Sequence, residues 1–353
     1  MPDFDARLPP GPQGYRMPAE WAPHAATWLA WPHKEASWPG KLERIPPVFA
    51  AMVKALTPGE RVRICAAPEA LRDAGARELV RAGVDGFRVQ WFPIANDDAW
   101  IRDHGPIFLN HADGSQLVLD WGYNAWGGKY PPFDLDDAVP TRIAESLALP
   151  VLHPEMILEG GSIDTDGEGT LLTTEACLLH PNRNPALGRA EIEEHLRAWL
   201  GVETVLWLGE GIVGDDTDGH VDDLTRFIAP GAVLTAVEDD TSDANHLPLQ
   251  ENLARLRGMR DARGRRLDIH TLPMPAPLEY QGQRLPASYL NFYIGNGVVL
   301  LPQFSCTQDE PARRVVEDLF PGRDVVGMDC RDLVWGLGAF HCLTQQQPRP
   351  GGV

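Results

Sequence analysis

Five helical stretches recur along the chain, beginning near residues 68, 137, 188, 246 and 309, and each has short β-prone runs before and after it. This alternation restricts the fold more than any other feature. A chain that keeps switching between apolar period 2 and apolar period 3.6 must lay helices on sheets, which makes the fold class α/β. The order reads as a pseudo-repeat of strand-strand-helix-strand units, although no sequence motif repeats with it. No linker-like stretch interrupts the middle, so residues 1–353 are expected to form a single domain. Residues 1–20, rich in Pro and Gly, are expected to run over the surface as an extended N-terminal arm. Further along, helices are predicted over 45–56, 68–82, 136–147, 188–200, 246–259 and 309–319. A hairpin is expected around Asp166-Gly167, and another with Gly295-Asn-Gly297 at its tip.

Charge and cysteine content narrow the function. The net charge is −19, which argues against nucleic acid or an anionic membrane as partner and suits a cationic substrate. No apolar run approaches the ~20 residues of a membrane span. The N-terminus has no signal or lipidation pattern, so the cytoplasm is the default location. Five widely spaced cysteines without a CxxC pair argue against a disulfide scaffold or zinc knuckle.

Two literal motif matches fail on context. Gly209-Glu-Gly-Ile-Val-Gly214 spells GxGxxG, but Asp215-Asp-Thr-Asp follows it where a dinucleotide site needs a helix. Asp164-x-Asp-x-Glu-Gly169 with Glu175 approaches EF-hand spacing, yet glycines precede it and β-prone residues lie inside it.

The chemistry concentrates in four passages: Trp100-Ile-Arg-Asp103-His-Gly-Pro, Glu159-Gly-Gly-Ser, His220-Val-Asp222 within Gly214–Asp223, and Phe340-His-Cys342-Leu-Thr-Gln-Gln. If the third passage enters a strand, His220 and Asp222 share one face. A cysteine, a histidine and several acids beside glycines have the composition of a nucleophilic thiol site. The surplus of carboxylates points to a cationic group under attack.

These passages resemble the agmatine deiminase family, also catalogued as bacterial, Porphyromonas-type, peptidylarginine deiminases, within the guanidino-group-modifying (pentein) superfamily. The likeness spans almost the whole chain, including MPAEWAPHAATWLAWPH, NDDAWIRDHGPIF, DWGYNAWGGKY, EGGSIDTDGEGTLLTTEACLL, GDDTDGHVDD, ASYLNFYIGNGVVLLPQF and GLGAFHCLTQQQP. It implies a five-bladed α/β propeller with pseudo-fivefold symmetry and a site in the central channel. It also implies a small cationic guanidino substrate, with no cofactor and no metal. By this resemblance Cys342 is the nucleophile, His220 and Asp222 the catalytic pair, Asp103 a guanidinium-binding acid, and Glu159 the acid beside the histidine, expected to keep it protonated. Trp100, Asp97, Asp98, Asp216, Asp218, Trp126 and Asn291 are candidate substrate-binding residues. Leu337 interrupts a run of glycines that the family usually has before the cysteine, and a side chain there narrows the channel or adjusts substrate fit.

The expected reaction is hydrolysis of agmatine to N-carbamoylputrescine and ammonia. Another guanidino substrate, such as peptidyl-arginine, would use the same site. Free arginine would need a carboxylate receptor, for which Arg102 and Arg183 are the candidates. Two readings of other classes are a metal-dependent hydrolase built on His220 and Asp222, and a polyamine-binding protein with an idle site. A homodimer is left open.

Overall fold

The computed structural model describes residues 4–351. Among them, the strands form five sheets that share one plan, and a separate two-stranded hairpin pairs Glu279–Tyr280 with Gln283–Arg284. In every one of the five, an outer strand runs antiparallel to a middle strand, and the middle strand runs parallel to a third. The first sheet sets Gln345–Pro348 against His24–Ala30 and then Arg61–Cys65, with Val89–Phe92 added as a fourth strand. The second is built from Ile107–Asn110, Gln116–Leu119 and Val151–Leu152, and the third from Asp164–Thr165, Thr170–Thr174 and Thr204–Leu208. Thr225–Ala229, Ala232–Val237 and Asp268–Pro273 make the fourth; Tyr293–Ile294, Val298–Gln303 and Asp324–Asp329 make the fifth.

A parallel pair needs a long crossover, and a helix supplies it in each case. The crossover helices are Ile45–Leu56, Val139–Leu147, Arg189–Leu200, His246–Gly258 and Asp309–Leu319. Each buries one stripe. In Ile45–Leu56 the buried residues are Ile45, Phe49, Ala50, Met52, Val53 and Leu56, at the three- and four-residue spacing of an amphipathic helix. The helix expected near residue 68 is present as Glu69–Arg81, but it is an extra crossover to the fourth strand of the first sheet. Ile45–Leu56 takes the repeating place, because it joins the middle and third strands there.

The plan positions chemistry. The loop leading into each outer strand places a polar residue of the centre two to five positions ahead of it: Asp103, Glu159, Asp222, Asn291 and Cys342. Five sheets thus present five side chains from equivalent places.

Three local expectations are corrected. Val221–Asp223 is a 3-10 turn, not the start of a strand, so the side chains of His220 and Asp222 are set by a tight turn. The passage from Asn96 contains a one-turn helix, Ile101–His104, before its strand. The N-terminal segment is not a loose surface arm. It holds a 3-10 turn at Gly11–Gln13, pairs Arg16 with Asn110, and buries Tyr15, Met17 and Glu20. Apolar Tyr15 and Met17 have a core to join, which the Pro/Gly content concealed. Residues 1–3 of the expected arm lie outside the described residues. The turn at Asp166 is a hairpin as expected, with Asp166 Oδ1 accepting the N–H groups of Glu168 and Thr170. Among the described residues no helix is long and apolar enough to cross a membrane.

Candidate active site

Two glycines let the loops meet. A Cβ on Gly160 would sit 2.1 Å from the carbonyl oxygen of Arg102, and one on Gly161 would lie 2.6 Å from both Asp103 Oδ1 and His220 Nδ1 and 3.1 Å from Asp222 Oδ2. The Glu-Gly-Gly-Ser passage is therefore the space into which the other acids and the histidine close. The Gly161 N–H donates to Asp103 Oδ1 at 3.0 Å, and the Trp126 indole N–H donates to Oδ2 at 2.9 Å. Trp126 makes that bond from a left-handed backbone, φ 54°, a costly conformation for a bulky residue and one that recurs at functional sites.

His220 is completely buried. Its Nδ1 lies 3.6 Å from Asp103 Oδ1 and its Nε2 lies 4.0 Å from Glu159 Oε2. Neither ring nitrogen has a hydrogen-bond partner, and Glu159 Oε2 has none either. The other oxygen of Glu159 accepts from Arg183 Nε at 2.6 Å. Burial lowers the His220 pKa to about 3 against the pull of Asp222. The ring is thus neutral in this state, contrary to the expectation that Glu159 keeps it protonated. The cause is that burial outweighs the charge of Asp222, and the charge of Arg183, bonded to Glu159, opposes protonation further.

Cys342 is the thiol of the site. Asn291 Nδ2 approaches its Sγ at 3.1 Å, and Asp222 Oδ2 stands 3.7 Å away. Burial pushes the thiol well above its ordinary value, and the charges of Asp222, Asp223 and Asp103 add to this. Asp103 is itself raised well above the carboxylate range by burial, then by the charges of Asp222 and Glu159. Burial raises Asp223 in the same way, helped by Asp222 and Asp215. Among the described residues no lysine or arginine pairs with Asp103, Asp222 or Asp223; the ion-pair partners they have are His220 for Asp103 and His341 for Asp222. Acids, thiol and neutral imidazole thus form a buried centre short of positive charge.

Behind it lies a second buried cluster. His341 sets Nδ1 2.6 Å from Asp222 Oδ2 and Nε2 2.7 Å from Glu20 Oε2. Glu20 also pairs with Arg102 at 3.1 Å and Arg226 at 2.9 Å. Arg226 continues to Asp164, and Arg102 to Gln345 and Gln346. Burial works against the Glu20 charge, yet Arg226, His341 and Arg102 hold its carboxyl well below the usual range. Burial works on Asp222 too, but His341 keeps that carboxyl low.

A cleft of about 180 Å³ opens onto this centre, with Asp103 and Cys342 at its inner end and Trp100, Trp126, Tyr130 and Trp335 on its walls. Leu337 lines it as well, from a left-handed backbone with φ 70°. Glycine meets that conformation without strain, which gives a physical reason for a glycine run there and makes the leucine a side chain held at some cost.

The candidate residues divide accordingly. Asp103, Glu159, His220, Asp222, Asn291 and Cys342 come together, with Trp126 on Asp103. Trp100, Asp98 and Asp216 line the cleft. Asp98 is paired with Lys34 at 3.3 Å and accepts from Ser37, while Asp216 is held by Lys129 and the Tyr130 hydroxyl. Asp97 and Asp218 do not line it. Asp97 accepts from the Leu135 N–H, and Asp218 is bonded to Arg183, Lys129 and Asn182. Neither proposed carboxylate receptor is free. Arg102 is committed to Glu20 and two glutamines, and Arg183 to Glu159, Asp218 and the Thr217 carbonyl. Sequence reasoning passed over Glu20, Arg226 and Cys177. Glu20 lies inside the MPAEW passage, but an isolated acid between Ala19 and Trp21 carries no chemical signature.

A family model described as Porphyromonas-type peptidyl-arginine deiminase matches residues 16–348. The chain belongs to this family. Within it, the agmatine deiminase of Pseudomonas aeruginosa (strain LESB58) is 42% identical over 364 residues, covering 97% of each chain. A putative agmatine deiminase of Legionella pneumophila (strain Paris) is 37% identical, covering 96% of this chain and 97% of its own. Among solved structures, the agmatine deiminase of Enterococcus faecalis superposes with a TM-score of 0.91 at 34% identity, covering 97% of this chain and 98% of that one. A C. jejuni agmatine deiminase with substrate bound gives 0.87 at 30% identity, covering 95% and 97%. The chain shares the α/β fold of mixed sheets with these Porphyromonas-type relatives.

Proposed function

We propose that this protein is a hydrolase that converts agmatine and water to N-carbamoylputrescine and ammonia, with Cys342 as nucleophile. The observation that carries the reading is the charge imbalance around Cys342: three buried aspartates and a thiol with no lysine or arginine among them. A guanidinium is planar, always charged at neutral pH and able to donate to carboxylates in pairs. Placed between Asp103 and Asp222, it would supply the missing charge and favour both the ionised acids and the Cys342 thiolate. The substrate would thereby complete the electrostatics of its own site.

Thiolate attack on the guanidinium carbon forms a C–S bond and a tetrahedral adduct. Loss of ammonia, with a proton delivered through His220, leaves an amidino group on sulfur. Water then attacks, His220 takes its proton, and the C–S bond breaks to release the ureido product and restore the thiol. Proton transfer of this kind contributes roughly 10²–10⁴-fold. His220 begins neutral, so it must gain its proton as the substrate or Cys342 gives one up. Glu159, fixed by Arg183, stands on the far side of the ring to stabilise the imidazolium formed then. Asn291 orients the sulfur.

Agmatine suits the cleft because the one cation on its wall among the described residues, Lys34, is already paired with Asp98, so no unpaired positive charge there repels a dication. The repeated sheet plan, with a polar residue of the centre leading into each outer strand, supports the finer fold reading of five blades around a central channel. A single domain across the chain agrees with the first sheet, whose strands come from both ends of the sequence.

The test is ammonia and ureido-product release from agmatine, free arginine and an arginine-containing peptide, beside Cys342→Ala. Agmatine is expected to turn over alone, with activity lost in the variant. Turnover of the peptide would keep the site and replace the substrate, as the family description invites. Activity surviving in Cys342→Ala would overturn the thiol mechanism.

A further inference from the structure

Cys177 has no part in the chemistry above. It lies wholly buried in the one-turn helix Glu175–Leu178, whose N-cap Thr174 accepts its backbone N–H. Its sulfur, one carboxylate oxygen of Glu159 and one ring nitrogen of His220 lie within 4.8 Å of one another. No other group of three or more His, Cys, Asp or Glu side chains among the described residues comes as close. Glu159 Oε2 and His220 Nε2 are both buried and without a hydrogen-bond partner. Buried polar atoms are usually partnered, and these two point at the same space as the Cys177 sulfur.

One sulfur, one nitrogen and one oxygen form a donor set of the kind zinc takes, at about 2.3 Å for sulfur and about 2.0–2.2 Å for nitrogen and oxygen, in a tetrahedron whose fourth place goes to water. Donors within 4.8 Å of one another can share one ion once they close toward it. We infer that Glu159, Cys177 and His220 form a zinc-binding site that inhibits the enzyme. On binding, the Cys177 thiol releases its proton to solvent, and the thiolate and the Glu159 carboxylate together balance the two positive charges of the ion. Arg183 keeps its bond to the other oxygen of Glu159 and orients it, as outer partners of metal ligands do. A metal on Nε2 would remove His220 from proton transfer while leaving Cys342 untouched. The binding stands on geometry alone; the inhibition rests on the role proposed for His220.

The experiment separates this site from the nucleophile. Cobalt(II) is titrated into the full-length protein and into its Cys177→Ala and Cys342→Ala variants, following the thiolate-to-cobalt charge-transfer absorption. The band is expected in the wild type and in Cys342→Ala and is expected to be lost in Cys177→Ala, with affinity falling at least roughly 10–100-fold. Zinc is then titrated against agmatine turnover, and the concentration giving half inhibition should rise by a similar factor in Cys177→Ala. Cys177→Ser, the closer isostere, serves if the alanine variant does not fold. A band that disappears in Cys342→Ala and persists without Cys177 would overturn the proposal, as would a wild type that shows none. If cobalt behaves as expected but zinc leaves turnover unchanged, the site stands and the role of His220 falls.

Discussion

Two buried clusters of charge meet at Asp222, and they are built on opposite terms. Around Glu20 every acid has a base: Arg102, Arg226 and His341 surround it, and its carboxyl is held far below the ordinary range. Around Cys342 the acids outnumber the bases, and Asp103, Asp223 and the thiol are all pushed up. The first arrangement repays desolvation with paired charges and holds loops in place. The second leaves desolvation unpaid until a cation arrives. Buried charge is thus a means of construction in one cluster and, on the function proposed above, a means of recognition in the other.

The difference can be broken from the structural side first. Glu20→Gln leaves two guanidiniums short of a counter-charge, and loss of one member of a buried pair costs about 3–5 kcal/mol. Urea unfolding of the variant is expected to show a loss in that range; a loss under about 1 kcal/mol would mean that the cluster is not structural.

From the other side, Asp103→Asn removes a charge that the free protein bears at a cost. Turnover should fall at least about 100-fold, because the guanidinium loses a clamp that fixes its position. Stability should fall by no more than about 1–3 kcal/mol, the cost of one N–H left without its acceptor. A large stability loss with activity retained would reverse the assignment of the two clusters.

Leu337→Gly tests the outer cleft, away from both. It removes an apolar wall and relieves a left-handed leucine. The KM for agmatine is expected to rise by roughly tenfold, equal to about 1.4 kcal/mol of lost contact, with kcat little changed. An equal fall in kcat would place Leu337 in positioning the reacting carbon.

The last test is one of pH. Burial raises Asp136 to about 7, against the N–H groups of Asp97 and Asp98 that its carboxylate accepts. A raised carboxyl gives stability that is complete below its unfolded value near ~3.9 and is lost as pH rises through the folded value. Wild-type stability should therefore fall between about pH 4 and 7 more steeply than that of Asp136→Asn. Parallel curves would show that Asp136 does not titrate in that window.

Much of the fold was legible because its signals are local. Ile45–Leu56 and Asp309–Leu319 match their apolar periodicity, and the hairpin at Asp166 follows from its turn residues. Which helix belongs to the repeating unit was not legible, since the place of Ile45–Leu56 and of Glu69–Arg81 is set by the strands they join. The residues at the site could be named from their motifs, and the loops do bring Asp103, Glu159, His220, Asp222 and Cys342 together. Their protonation could not be named, because burial and the commitment of Glu159 to Arg183 exist only after folding. Asp97 and Asp218 look like their neighbours in sequence, yet backbone and arginine partners turn them away from the cleft.

The antiparallel pairing of Gln345–Pro348 with His24–Ala30 has a further consequence in time. On the ribosome, the strand edge at 24–30 is made well before its partner. Four of the five loops that face the centre are complete before then. Cys342 is made after them, just ahead of the strand that completes the first sheet, so the sulfur is the last of the five groups to join the centre.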